Sequence, residues 1–207
     1  MFNKKAAMFG LDARIALAIF GALSVISGAA LYSAIQTAKV EQWRQFFSNM
    51  DKAYEQYLLD NGKDIPVSAT SSGILNLADL IDNRENLSTW NGPYLSATST
   101  SRDLIRTNMT AQVGPIGYAY AILHKKSDWT ANAALVDEVC VIDDADCALW
   151  YTIHAGNATE SVTLKTIFNM LDSAIDGGDG ELKGIVRYNN HDDDYLMYQG
   201  IMRRKTS

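Results

Sequence analysis

The chain has 207 residues, with 18 Lys and Arg against 24 Asp and Glu, and its formal net charge is −6. An acidic chain without a visible basic stripe is a poor candidate for nucleic-acid binding. Its three histidines (His124, His154 and His191) have no catalytic or metal-binding spacing, and no phosphate-binding glycine loop follows a predicted strand. The sequence therefore favours a non-catalytic protein.

The first predicted element is a long helix whose N-terminal half is apolar on all sides. Ile15–Ala38 contains no Asp, Glu, Lys, Arg or His. At 1.5 Å per residue this run forms a helix of roughly 36 Å, which is longer than the bilayer hydrocarbon core of about 30 Å. We expect it to span a membrane or to lie in an equally apolar protein environment. Because Lys4, Lys5 and Arg14 precede it, its N-terminal end should stay cytoplasmic and the rest of the chain should be exported.

The second half of the same helix is predicted to be amphipathic. Through Lys39–Asp60 the apolar residues recur at spacings of three and four, and the first stop signal is Asn61-Gly62. The residues of this stripe are Val40, Trp43, Phe47, Met50, Tyr54 and Tyr57. Such a stripe needs a soluble domain to cover it, so we expect the chain after Asn61 to form a globular head on this half of the helix.

A short basic segment precedes the apolar run. Lys4 and Lys5 are followed by Met8-Phe9-Gly10, and Leu11 comes next. A basic leader that ends in Gly, followed by an unbroken apolar segment and an amphipathic continuation, resembles the N-terminus of type IV pilins and type II secretion pseudopilins. The resemblance implies that a prepilin peptidase cuts between Gly10 and Leu11 and that the new N-terminal residue is methylated.

The resemblance also implies a division of the chain, a fold and an assembly. Residues 1–10 would be the leader, 11–38 the membrane and filament-core half of the helix, and 39–207 the globular head. The expected fold is an α+β pilin-like roll, in which the long helix packs on an antiparallel sheet. Inner-membrane machinery would assemble such subunits into a homo-oligomeric helical filament at the cell surface. Small residues such as Gly21 and Gly28 would allow close helix contact in the filament core.

One position departs from the family pattern. These pilins usually carry Glu five residues into the mature chain, where this chain has Ile15, and the nearby charges are Asp12 and Arg14. The resemblance implies that an acidic side chain near the start of the helix neutralises the N-terminal amine of a neighbouring subunit. Either Asp12 takes this role or the chain belongs to a branch that lacks the acid. We expect the former, because Asp12 is the only acidic residue between Leu11 and Glu41.

Two alternatives to a pilus subunit stay open from the sequence. One is a type II secretion pseudopilin, and the other is a periplasmic binding or sensor domain held by an ordinary signal anchor. Filaments isolated from the cell surface would favour a pilin, whereas a solitary protein in the membrane fraction would favour the anchored domain. A cleaved secretory signal is disfavoured, because its apolar core is much shorter than Ile15–Ala38.

The head is predicted to combine about four or five antiparallel strands with a second helix. That helix covers Val162–Ile175, with Thr159 or Ser161 as its N-cap. The other expected elements are a short helix over Ile74–Ile81, an irregular segment over Ser96–Thr110, and strands over Ile116–Leu123, Lys183–Tyr188 and Tyr195–Met202.

Cys140 and Cys147 are the only cysteines. In an exported domain a close pair predicts a disulfide more than a metal site. Apolar stretches, Ala134–Ile142 and Ala148–Ile153, flank an Asp-rich turn, which predicts a β-hairpin closed by the disulfide across its two strands.

Acidic residues cluster near the C-terminal end of the chain. Asp176 and Asp179 follow the second predicted helix, and Asp192 lies in a later polar turn. Ca²⁺ prefers several carboxylate oxygens in flexible geometry, although the spacing is not that of an EF-hand. The sequence names Asp176, Asp179 and Asp192 as a candidate Ca²⁺ shell, with solvated acidic turns as the alternative, and it predicts no other cofactor.

Overall fold

The computed structural model describes residues 5–69, 73–114, 117–130, 139–141, 144–191 and 193–201. The fold is α+β, with a long N-terminal helix and an antiparallel sheet. The chain divides into two compact units, Met1–Glu41 and Gln42–Ser207.

Helix α1 covers Lys5–Asn61. It begins ahead of the predicted apolar run Ile15–Ala38, because the preceding stretch contains good helix formers and no proline. The predicted stop is confirmed: Gly62 has a φ of +60°, and its amide donates to the carbonyl of Leu58 at 2.9 Å. A glycine in the left-handed conformation closes the helix without the steric cost of a side chain.

In the second unit, the C-terminal part of α1 contributes one wall of the core. The predicted apolar stripe is confirmed there, because its members Trp43, Phe47, Met50, Tyr54 and Tyr57 are at most 2% exposed. Phe47 stacks on Tyr198 with ring centroids 4.2 Å apart. The stripe therefore packs on the sheet through ring stacking as well as through burial of apolar surface.

The sheet has seven antiparallel strands within the described residues. Their order is β2-β3-β4-β5-β7-β6, and β1 pairs with β4 off this path. The strands are β1 Ile74–Leu75, β2 Thr98–Ser99, β3 Ile105–Arg106, β4 Tyr118–Lys125, β5 Cys147–Ala155, β6 Val186–Asn189 and β7 Asp194–Gln199. Strand β5 is buried along its whole length, which explains its nearly continuous apolar sequence.

Helix α2 covers Ala158–Ile175 and packs against β5, β6 and β7. Its N-cap is Asn157, and the expected caps Thr159 and Ser161 are wrong. The Oδ1 atom of Asn157 accepts from the amides of Thr159 and Glu160 at 3.0 and 3.1 Å. Asparagine in this position satisfies two amides that have no partner within the helix, so the helix starts earlier than its apolar spacing alone indicates.

Two predictions about the head are wrong in part. Ile74–Ile81 was expected to be a helix, but Ile74 and Leu75 form β1, and only Leu77–Leu80 is helical, as a 3-10 turn. Ser96–Thr110 was expected to be irregular, but it contains the paired strands β2 and β3. Strands of two residues are too short to show alternation of polar and apolar side chains, so the sequence carries no periodic signal for them.

The predicted disulfide between Cys140 and Cys147 is present, with Cα atoms 5.6 Å apart. The predicted hairpin is wrong, because β5, which begins at Cys147, pairs with β4 and β7. Most of the expected first arm, Ala134–Ile142, lies outside the described residues, and Val139 makes an isolated bridge to His124 of β4. The disulfide therefore attaches the segment before β5 to the centre of the sheet.

Candidate functional site

The N-terminal part of α1 has an apolar surface that its own unit leaves exposed. The large apolar side chains there are between 45% and 73% exposed: Leu11, Ile15, Leu17, Ile19, Phe20, Leu23, Val25, Ile26, Leu31, Tyr32 and Ile35. Among the described residues, α1 is the one helix long and apolar enough to span a membrane. Exposed apolar surface of this extent is unfavourable in water and marks contact with lipid or with another protein.

Two hydroxyl groups on this surface are satisfied within the helix. The Oγ atom of Ser24 donates to the carbonyl of Phe20 at 2.8 Å, and the Oγ1 atom of Thr37 donates to the carbonyl of Ser33 at 3.1 Å. In lipid every polar group needs an internal partner, and these four-residue contacts supply one. These two side chains are therefore compatible with an apolar environment.

The predicted assembly glycines, Gly21 and Gly28, have open space beside them. A Cβ atom built on either residue meets no atom within 4 Å. Glycine in a helix interior costs about 1 kcal/mol relative to alanine. Packing within the described chain thus gives no reason for glycine at these two positions.

The predicted processing residues, Gly10 and Leu11, lie inside α1, as do the charged residues Asp12 and Arg14. All four are exposed. Residues two apart on a helix do not face each other, so Asp12 and Arg14 are poorly placed to pair within one chain. Each charge therefore needs solvent, a lipid headgroup or another chain as its partner.

A second candidate site lies at the C-terminal end of α2. Carboxylate oxygens of Asp172, Asp176 and Asp179 lie within 4.8 Å of one another. Asp176 is the C-cap of α2, and its Oδ2 atom accepts from the amides of Ile185 and Val186 at 3.0 and 2.8 Å. The structure thus brings together two residues of the predicted Ca²⁺ shell, Asp176 and Asp179, and adds Asp172.

The third predicted ligand, Asp192, lies outside the described residues. The sequence prediction did not include Asp172, because this residue lies inside the predicted helix and its place in the cluster depends on how α2 ends. A signal was present in the sequence, since Asp172 and Asp176 are four apart and residues at that spacing share one side of a helix. Three carboxylates with flexible loop geometry are the ligand type that Ca²⁺ takes, so the cluster is chemically suited to a hard divalent cation.

The local electrostatics of this cluster are unfavourable without a cation. Burial raises the pKa of Asp172, and the neighbouring Asp179 carboxyl raises it further. Burial also raises the pKa of Asp176. The cluster stands at the negative end of the α2 dipole, and the last turn of α2 holds no basic residue to offset it. Asp172 is only 7% exposed, and its Oδ1 atom has no hydrogen-bond partner among the described residues.

We expect Asp172→Asn to raise the melting temperature of the head in cation-free buffer at neutral pH. Because folding raises the pKa of this carboxyl, the folded protein loses stability as the pH rises above the ordinary value of 3.8, and the parent carries this penalty at neutral pH. Removing it should contribute about 1 kcal/mol, or roughly 2–4 °C. The measurement is thermal unfolding followed by circular dichroism.

Repeating the thermal unfolding at a series of pH values supplies a control. Below the ordinary pKa of aspartate the parent carboxyl is protonated, so the two melting temperatures should converge there. Adding Ca²⁺ should stabilise the parent more than Asp172→Asn. If the variant is destabilised at pH 7, the stated electrostatic cause is wrong, and if Ca²⁺ leaves the parent unchanged, the Ca²⁺ prediction is wrong.

Comparison with family models, with curated proteins and with solved structures gave no match to this chain.

Proposed function

We propose that this protein is a structural, non-catalytic subunit of a type IV-like extracellular filament, assembled through the N-terminal part of α1. The observation that carries the proposal is the exposed apolar surface between Leu11 and Ile35. Before assembly, the lipid of the inner membrane would cover this surface. In the filament, the same segments of neighbouring subunits would cover one another.

The two glycines with open space beside them support assembly through helix contact. Gly21 and Gly28 are unexplained by packing within the chain, and small residues let helix backbones approach closely in an apolar environment. The head supports the same proposal, since a sheet covered by the amphipathic end of a long helix corresponds to a pilin-like roll. Homo-oligomeric filaments, prepilin peptidase and the inner-membrane assembly machinery are the partners that follow from it.

N-terminal mass spectrometry of protein purified from its native cells tests the proposal. We expect the chain to begin at Leu11, with a methyl group on its amine, because the basic leader ends at Gly10. A Gly10→Val variant should keep Met1 and stay in the membrane fraction, since a branched side chain would replace the glycine before the cut. Intact Met1 in the parent would remove the peptidase assignment and favour a signal-anchored periplasmic domain.

The cell fraction that holds the processed protein separates a pilus from a pseudopilus. Subunits sheared from the cell surface as filaments would support the pilin proposal. Processed protein confined to the envelope, in cells that lose secretion when it is deleted, would indicate a secretion pseudopilin instead.

A further inference from the structure

The head carries a groove between the C-terminal part of α1 and two later segments of the chain. Its volume is about 630 Å³, which is within the range of small-molecule sites. The later segments are residues 94–96 and 107–112. We call it the amide groove after its six side-chain amides, which belong to Gln42, Gln45, Asn49, Gln56, Asn108 and Gln112.

The α1 wall of the groove is one continuous polar stripe. Its residues are Gln42, Gln45, Asn49, Lys52 and Gln56, at spacings of three and four, so they share one side of the helix. All five are exposed, and the stripe runs beside the buried aromatic stripe of the same helix. From the first to the last of these residues it extends about 21 Å. An elongated ligand would therefore fit the groove better than a compact one.

The groove is nearly uncharged in a strongly acidic chain. Its lining contains Lys52 but no Asp, Glu or Arg, whereas the whole chain has a net charge of −6. The side chains of Gln42, Asn49, Gln56 and Asn108 make no hydrogen bond to any described residue. An amide offers two donors and an acceptor with two lone pairs. This surface is thus rich in neutral groups that both donate and accept.

Below the amides the groove has an apolar floor. Phe46 and Ala53 are buried, and Leu95 and Met109 are half-buried. A ligand that suits both the amide side chains and the apolar floor is uncharged, carries many hydroxyl groups and also has apolar C–H faces. Oligosaccharides have this combination of groups.

An extended peptide fits the same groove less well. Its backbone needs hydrogen-bond partners, which peptide-binding proteins usually supply from an open strand edge. Here the walls are α1 and the 3-10 turn Thr110–Gln112, and most backbone groups of a helix are already paired with one another. None of the described strands lines the groove, so side chains supply most of the groups that could bind a ligand. We propose that the amide groove binds a neutral oligosaccharide, a property that does not depend on filament assembly.

Saturation-transfer NMR on the full-length protein tests this proposal. The protein is held in a zwitterionic phosphocholine detergent, since glucoside and maltoside detergents would compete as sugars. The probes are maltotetraose, cellotetraose, mannotetraose and chitotetraose at millimolar concentration. At least one should receive saturation from the protein, and titration then gives its Kd.

Two amide variants and one matched control locate the binding. Asn49→Ala and Gln56→Ala should each weaken binding by about fivefold or more, since each removes hydrogen bonds to the ligand. Asn169→Ala removes an exposed amide from α2, outside the groove, and should leave the Kd unchanged. Circular dichroism checks that all three variants remain folded.

Three results would overturn the proposal. The first is the absence of saturation transfer to every probe. The second is sugar binding that Asn49→Ala and Gln56→Ala leave unchanged, which would place the ligand elsewhere. The third is loss of self-association in these variants without any sugar binding, which would make the groove a contact between copies of this chain.

Discussion

Replacing Arg187 by alanine should lower the free energy of unfolding of the head by about 3–5 kcal/mol. Losses of this size are typical when one partner of a buried ionic interaction is removed. Arg187 lies in β6 and is only 1% exposed. Its guanidinium contacts two tryptophan rings that also contact each other, 4.9 Å from the centroid of Trp129 and 4.6 Å from that of Trp150. Few surface substitutions approach this magnitude, so the effect should exceed that at any exposed arginine.

The cost arises mainly from the carbonyl groups that Arg187 satisfies. Its Nε atom donates to the carbonyl of Gly184 at 3.0 Å, and Nη1 donates to that of Ser127 at 3.0 Å. Nη2 donates to the carbonyl of Lys126 and lies 3.8 Å from the carboxylate of Asp128. Burial lowers the pKa of Arg187, but arginine still stays charged at neutral pH. Alanine would leave these carbonyls without the arginine donors and create a cavity beside the two rings.

Chemical denaturation of the full-length protein in detergent measures the change. Arg187→Lys should lose most of the same stability, because an ammonium cannot reproduce the planar fork that reaches several carbonyls at once. Arg84→Ala is the matched control, since Arg84 makes a partly exposed ion pair with Asp82 at 3.4 Å, and it should cost no more than about 1 kcal/mol. A loss at Arg187 as small as that at Arg84 would contradict the argument.

The long elements of the fold could be predicted from local pattern. The aromatic spacing of α1 and its stop at Asn61-Gly62 depend only on helix geometry and on the freedom of glycine, so both are readable from sequence. The disulfide was predictable for a similar reason, because Cys140 and Cys147 are close in the chain. The pairing of β5 was not, since the choice of β4 and β7 as its neighbours depends on residues far away in sequence.

The candidate sites also combine features that follow from local sequence with features that depend on long-range packing. The exposed apolar surface was predictable, because so long a run without charge needs either lipid or an equally apolar protein environment. The acidic cluster was predictable in part, since Asp176 and Asp179 are neighbours in sequence, whereas the depth at which Asp172 is buried depends on how α2 packs on the sheet. The role of Arg187 could not be predicted from the sequence, because its two tryptophan contacts and its carbonyl partners come from three separate segments.

Asp12→Ala should abolish filament assembly while leaving export and folding of the head intact. On the proposed assembly, cleavage after Gly10 places a new amine on Leu11 close to Arg14, inside a core built from apolar helices. A buried charge without a partner costs several kcal/mol. Asp12 is the only acidic residue in the exposed apolar part of α1, so its loss would leave two positive charges without any carboxylate.

On the proposed assembly, the partner of Asp12 would lie on another subunit. Asp12 and Arg14 are two apart in α1, where side chains point in different directions. The family position of the acid, here Ile15, is three residues later, which is about 4.5 Å along the axis and less than one turn. A small axial shift between neighbouring subunits would bring Asp12 to the place that this acid normally occupies.

Electron microscopy of the cell surface, with immunoblots of the sheared and membrane fractions, measures the effect. Asp12→Ala should accumulate in the membrane fraction as processed protein, with no filaments. Ile15→Ala is the matched control and should still assemble, because it removes only apolar contact, and Asp12→Glu should restore part of the assembly. If Asp12→Ala assembles as well as the parent, Asp12 does not replace the family acid. The positive charges must then be satisfied by carbonyls, phospholipid or an uncleaved leader.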